Sequence, residues 1–133
     1  MTNAIYPGTF DPVHYGHIDI ATRAAEMFDH LTIAIYDRPL KHLLFATEER
    51  RRMIEVAVKG VPNIAVATYN QLTVEYAKAV GARVVVRGLR VISDFELEFQ
   101  MALTNKKLAP EIEFVCLMTS EEYAFLSAST VKE

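Results

Sequence analysis

The sequence predicts an α/β domain: a doubly wound parallel sheet of about five strands with helices on both faces. Three observations carry that expectation. Short β-branched runs recur along the chain, the apolar spacing between them lengthens to that of a helix, and the runs are apolar without alternation, as in strands covered on both faces. With 133 residues, 51% of them hydrophobic and 23% charged, the chain has material for one core and no second domain.

The first run, Ala4-Ile5-Tyr6, leads into Pro7-Gly8-Thr9-Phe10-Asp11-Pro12, and a helical pattern follows through Ala21, Ala24, Ala25 and Phe28. Residues 31–35 form the second run, after which comes Asp37-Arg38-Pro39-Leu40-Lys41. Thr47 ahead of Glu48-Glu49 signals the next helix, carried by Met53, Ile54, Ala57 and Val58. Residues 64–67 are the third run, and Thr73 before Val74-Glu75 opens the helix behind it. Val84-Val85-Val86 runs into Arg87-Gly88-Leu89-Arg90, and Ser93-Asp94-Phe95-Glu96 then reads as a capping box. Phe95, Phe99, Ala102 and Leu103 follow at helical spacing, and Phe95, Phe99 and Met101 are expected in the core. The fifth run, residues 114–117, contains the lone Cys116. Alternating strands and helices joined by right-handed crossovers give a Rossmann-like sandwich, whose ligands sit beyond the carboxyl ends of the strands.

Composition narrows the function classes. A formal net charge of −3 lacks the surplus of Lys and Arg that a general nucleic-acid binder needs. One cysteine permits no intrachain disulfide and no multi-cysteine metal site, which fits a reducing cytoplasm. The first residues show no basic patch followed by an apolar stretch, and no segment approaches a spanning length, so neither export nor membrane insertion is expected.

Chemistry is expected after the strands. His14 and His17 fall at the mouth of a helix N-terminus, where free N–H groups favour an anion, and Gly8 and Gly16 would let a phosphate approach the backbone. The segment is neither a Walker loop nor a G-x-G-x-x-G fingerprint. As a metal pair, His14 and His17 lack an evident third ligand; as plain residues they are solvated first-turn histidines. Arg87 and Arg90 flank Gly88-Leu89 and could grip phosphate oxygens, although arginines at strand ends are commonly just solvated, and the same holds for Lys41. Glu96 and Glu98 read by default as the wet face of a helix. Ser127-Ala128-Ser129-Thr130-Val131-Lys132-Glu133 resembles another helix start, whose serines could cap the helix or meet a phosphate. If these groups converge, they surround an anionic reacting centre without any nucleophile–base pair, which favours phosphoryl or nucleotidyl transfer by positioning and charge neutralisation.

The string Ile5-Tyr6-Pro7-Gly8-Thr9-Phe10-Asp11-Pro12 with His14-Tyr15-Gly16-His17, then Arg87-Gly88-Leu89-Arg90, Asp94-Phe95-Glu96 and Ser127 to Glu133, closely resembles the bacterial phosphopantetheine adenylyltransferases from end to end. H-x-G-H alone marks a wider superfamily that includes cytidylyltransferases and class I aminoacyl-tRNA synthetases; its combination with R-G-L-R is far more specific. The resemblance implies transfer of AMP from ATP, accompanied by magnesium, to 4′-phosphopantetheine, giving dephospho-coenzyme A and pyrophosphate. It implies that His17, Lys41 and Arg90 are catalytic. Thr9, Phe10, His17, Gly88, Leu89, Arg90, Glu98, Tyr123, Ala124, Phe125, Leu126, Ser127, Ala128 and Ser129 would then contact ATP, while Thr9, Lys41, Thr73 and Arg87 would contact phosphopantetheine. No protein metal site is implied.

Two departures accompany the resemblance. Ala128 stands where the family usually has a serine, removing one hydroxyl near the triphosphate, and the resemblance implies a C-terminal helix beyond V-K-E that residues 1–133 do not include, so a single nucleotidyltransferase domain over residues 1–133, lacking that helix, is expected. The resemblance further implies a homohexamer and coenzyme A as a feedback inhibitor. Competing expectations are another H-x-G-H nucleotidyltransferase, such as a cytidylyltransferase or nicotinamide mononucleotide adenylyltransferase, and a nucleotide-binding module without turnover.

Overall fold

A computed structural model of the chain describes residues 2–10, 12–37, 43, 45–89 and 92–118, the side chains of 92–98 excepted. Strands and helices alternate through β1 (Asn3–Gly8), α1 (Tyr15–Met27), β2 (His30–Tyr36), α2 (Thr47–Ala57), β3 (Ile64–Tyr69), α3 (Thr73–Ala79), β4 (Val84–Leu89), α4 (Ile92–Leu108) and β5 (Glu113–Met118). All strand pairs are parallel, in the order β3-β2-β1-β4-β5. The expected doubly wound sheet is therefore present, with its change of direction between β1 and β4.

Alternation along the strands feeds two cores. Tyr6, Leu31, Ile33, Ile35, Val84 and Val86 pack with Ile20, Ala21 and Ala24 of α1 and with Ile54 and Val58 at the end of α2. Their neighbours Ile5, Ala34 and Val85 face the other way, against Val74, Tyr76 and Ala77 of α3 and against Ala109 and Ile112. Each fully buried Ile, Leu or Val contributes about 1.5–3 kcal/mol by leaving water.

The structure differs from the sequence expectations in three instructive ways. First, β1 and β4 run further than expected, through Pro7-Gly8 and through Arg87-Gly88-Leu89, because those residues pair with β2 and β5 respectively. Second, the helix starts at Thr47 and Thr73 are shifted: the N-caps are Ala46 and Leu72, and the threonine hydroxyls are engaged elsewhere, with Asp37 and Tyr69. Helix α4 likewise opens at Ile92, one residue before the expected cap Ser93. Third, Phe99 and Met101 are exposed (55% and 43%) rather than core. Apolar residues at 95, 97, 99, 101 and 103 recur every second position, which wraps them around a helix instead of lining one stripe. Phe95's side chain lies outside the described residues. β5 is likewise only half-covered, and Cys116 is exposed on it. Among the described residues no helix is long and apolar enough to cross a membrane.

Candidate active site

The site begins with a break in the sheet. In a parallel strand the N–H and C=O of one residue point to the same neighbour, and in β1 the residues facing β4 are Asn3, Ile5 and Pro7. Asn3's carbonyl accepts from the Arg83 N–H at 3.0 Å, and β1–β4 pairing covers Ala4 and Ile5. Pro7 has no N–H to continue the ladder, so the pairing stops there while both strands run on. Its carbonyl instead accepts from the Arg87 guanidinium Nη1 at 3.0 Å. A crevice opens at the carboxyl end of the sheet, at the point where strand order reverses.

On the α1 side of that crevice the residues after β1 fold onto one another. His14 caps α1, its Nδ1 accepting from the Gly16 N–H at 3.1 Å, and its own N–H donates to His17 Nδ1 at 3.1 Å. An imidazole nitrogen that accepts a hydrogen bond carries no proton, so neutral His17 holds its proton on Nε2, as a donor suited to an anion. The two rings stack at 3.7 Å, and Phe10 meets His17 edge-on at 4.8 Å and Tyr6 at 5.3 Å. Phe10 is buried and adopts φ 51°, a left-handed conformation that costs a bulky residue on the order of 1 kcal/mol or more. A Cβ on Gly8 would come within 3.0 Å of the Phe10 ring, and one on Gly88 within 3.2 Å of Ile20. The room at both glycines is thus filled by packed side chains, and at Gly8 this is where the sequence suggested space for phosphate.

On the opposite face, Arg87 lines a hollow with Pro7, Thr73, Val85, Met101, Asn105 and Phe114. Arg87 and Gly88 are adjacent, so strand alternation sends them to opposite faces of the sheet. Thr73 and Arg87, expected around one ligand, do come together there. Thr73's hydroxyl is within 3.0 Å of the Tyr69 hydroxyl, and Tyr69 stacks on Tyr76 at 4.9 Å. Burial pushes the Tyr69 phenol above the ordinary tyrosine range, against the opposing pull of the Thr73 hydrogen bond and the Arg87 charge. Tyr69 therefore stays protonated at neutral pH and holds Thr73 as a neutral partner.

Of the sequence-predicted residues, Thr9, Phe10 and His17 gather at the head of α1; Gly88 packs under α1, Leu89 ends β4, and Thr73 and Arg87 share the hollow. Glu98 belongs to α4, but its side chain is not described. Lys41, Arg90, Tyr123, Ala124, Phe125, Leu126, Ser127, Ala128 and Ser129 lie outside the described residues. Sequence reasoning missed Met101 and Asn105, one helical turn apart on α4, and Arg50, which is fully buried. Arg50 sits four residues before Ile54 and eight before Val58, on the core stripe of α2, a spacing that marks it out from Arg51 and Arg52. Among the described residues no group of three or more His, Cys, Asp or Glu could hold a metal.

A family model described as cytidylyltransferase-like matches residues 5–133. The chain is 52% identical to the phosphopantetheine adenylyltransferase of Roseiflexus sp. (strain RS-1), over all of this chain and 83% of that one. It is 55% identical to that of Carboxydothermus hydrogenoformans, over all of this chain and 82% of that one. Among solved structures, a bifunctional NMN adenylyltransferase/ADP ribose pyrophosphatase from Francisella tularensis aligns with TM-score 0.70 and 17% identity, over 97% of this chain and 40% of that one. A lipopolysaccharide core biosynthesis protein from Thermoplasma volcanium GSS1 gives 0.64 and 20%, over 90% and 97%. Those two share the fold. With half its residues identical to such relatives over its whole length, the chain belongs to the phosphopantetheine adenylyltransferases of the cytidylyltransferase-like family.

Proposed function

We propose that the chain transfers the adenylyl group of ATP to 4′-phosphopantetheine, forming dephospho-coenzyme A and pyrophosphate in coenzyme A biosynthesis. The observation that carries this reading is the β1–β4 crevice, with the His14/His17 head of α1 on one bank and the Arg87/Thr73 hollow on the other. Two anionic substrates can be held on opposite faces and meet at its rim.

The acceptor is a phosphate monoester, ionised at neutral pH, so no strong general base is required. One of its oxygens attacks the α-phosphorus in line; the bond from that phosphorus to the bridging oxygen breaks, and the electron pair leaves with pyrophosphate. His17 Nε2–H donates to the charge that builds on the transferring group, with Lys41 and Arg90 assigned the same task from the family resemblance. Thr9 lies between the two phosphates. Phe10 supplies backbone to the nucleotide, since its ring is committed to the core. Gly88, Leu89, Glu98 and residues 123–129 complete the ATP side; Thr73, Arg87 and Lys41 hold the acceptor. Magnesium enters as part of the nucleotide substrate. A cytoplasmic homohexamer, inhibited by coenzyme A bound in the acceptor hollow, is the corresponding assembly.

The test is pyrophosphate release with MgATP and a panel of phosphorylated acceptors. Turnover is expected with phosphopantetheine and not with nicotinamide mononucleotide; the reverse preference would overturn the assignment of the acceptor.

A further inference from the structure

The first turn of α2 is linked to both site loops by one buried guanidinium. Arg50 is 0% exposed. Its Nη1 donates to the carbonyl of Thr9 at 2.8 Å and to that of Tyr36 at 3.1 Å, and its Nη2 donates to the Thr47 hydroxyl at 2.9 Å. That hydroxyl donates in turn to the Asp37 carboxylate at 2.6 Å. Thr9 immediately precedes Phe10 with its positive φ, and Asp37 is where the chain leaves β2 for Lys41. A buried charge persists only when its hydrogen bonds are worth its desolvation, and these bonds converge on carbonyls at the ends of two adjacent strands.

We infer that Arg50 is a positioning residue: with Thr47 it holds the Thr9-Phe10 peptide and the start of the Asp37 segment at a fixed separation, so that the ends of β1 and β2 that lead into the site stay in register. The inference rests on the functional reading above for its kinetic consequence and on geometry alone for the clamp. The planar fork reaches two carbonyls and a hydroxyl at once; a lysine ammonium keeps the charge and loses that geometry.

Arg50→Lys and Thr47→Val in the full chain test it by steady-state kinetics, thermal unfolding and amide exchange. The expected result is a fall in kcat of about 10–100-fold, the scale of a small misplacement of reacting groups, with KM for ATP and acceptor changed by less than about threefold. Exchange is expected to quicken at Thr9, Phe10 and Asp37 while Ile33 and Val85 stay protected. Folded variants with unchanged kcat and unchanged exchange at those amides overturn the inference. So does activity that falls only in proportion to the folded fraction. If Arg50→Lys does not fold, wild-type kcat and exchange in Thr47→Val overturn it as well and leave Arg50 a structural residue. Absence of pyrophosphate from the unsubstituted chain fails the functional reading instead, and the exchange comparison still decides the clamp.

Discussion

The two banks of the β1–β4 crevice are built on opposite plans. On the α1 bank, Tyr6, Phe10, His14 and His17 pack ring against ring, two backbone N–H groups fix the imidazoles, and a glycine makes way for a buried phenyl ring. On the α4 bank, Arg87 and Thr73 line an open hollow whose wall includes half-exposed Met101, and Phe99 is exposed on the same helix. On the proposed function, the first bank fixes groups whose geometry must be right when charge moves, and the second accommodates a ligand that has to enter and leave. Substitutions on the α1 bank should therefore reach turnover, and those on the α4 bank affinity for one substrate.

The sharpest break is expected from His17→Ala, which removes a fixed donor: kcat should fall about 100- to 1,000-fold with little change in KM for ATP, read by single-turnover pyrophosphate release. Loss of the bond from the His14 N–H should also cost about 0.5–1.5 kcal/mol of stability, measured by urea unfolding. Arg87→Met, on the other bank, should raise the acceptor KM about tenfold or more while ATP affinity holds, as separate titrations would show. If both substrates weaken equally, the banks are not independent. Gly8→Ala presses a methyl group on the Phe10 ring, which is closed in by Tyr6 and His17, and should cost about 1–3 kcal/mol together with some turnover. The smallest effect belongs to Tyr69→Phe, with a loss of about 1 kcal/mol and a modest rise in acceptor KM.

That last variant also has a pH signature. Tyr69 titrates higher in the folded chain than its ordinary value of 10.0, so its contribution to stability is complete below about pH 10 and is lost as pH rises further through the folded value. Denaturant midpoints measured between about pH 9 and 12 should fall less steeply in Tyr69→Phe than in the parent.

The order and type of the elements were legible because short apolar runs mark each strand and an apolar stripe at helical spacing marks α1 and α2, whereas the two-residue recurrence in α4 left its buried side unreadable. What escaped was everything that depends on a neighbour. Pro7 and Gly8 carry turn chemistry in isolation, yet β2 holds them in the sheet. Thr47 and Thr73 have the right followers for helix caps, yet Asp37, Arg50 and Tyr69 claim their hydroxyls. Arg50 hides among three consecutive arginines, and only its distance to Ile54 and Val58 reveals that it points inward. His14 and His17 were recognisable as a pair at a helix mouth; that they bond through Nδ1 became visible only in three dimensions.

Where strand order reverses, the opening is widened by a hydrogen that an imino acid does not have. Side chains along either wall can be exchanged for others, and with them the molecules admitted, without reclosing the gap, because no rotamer restores the missing donor at residue 7. Recognition is thereby free to drift over a main-chain opening that stays where it is.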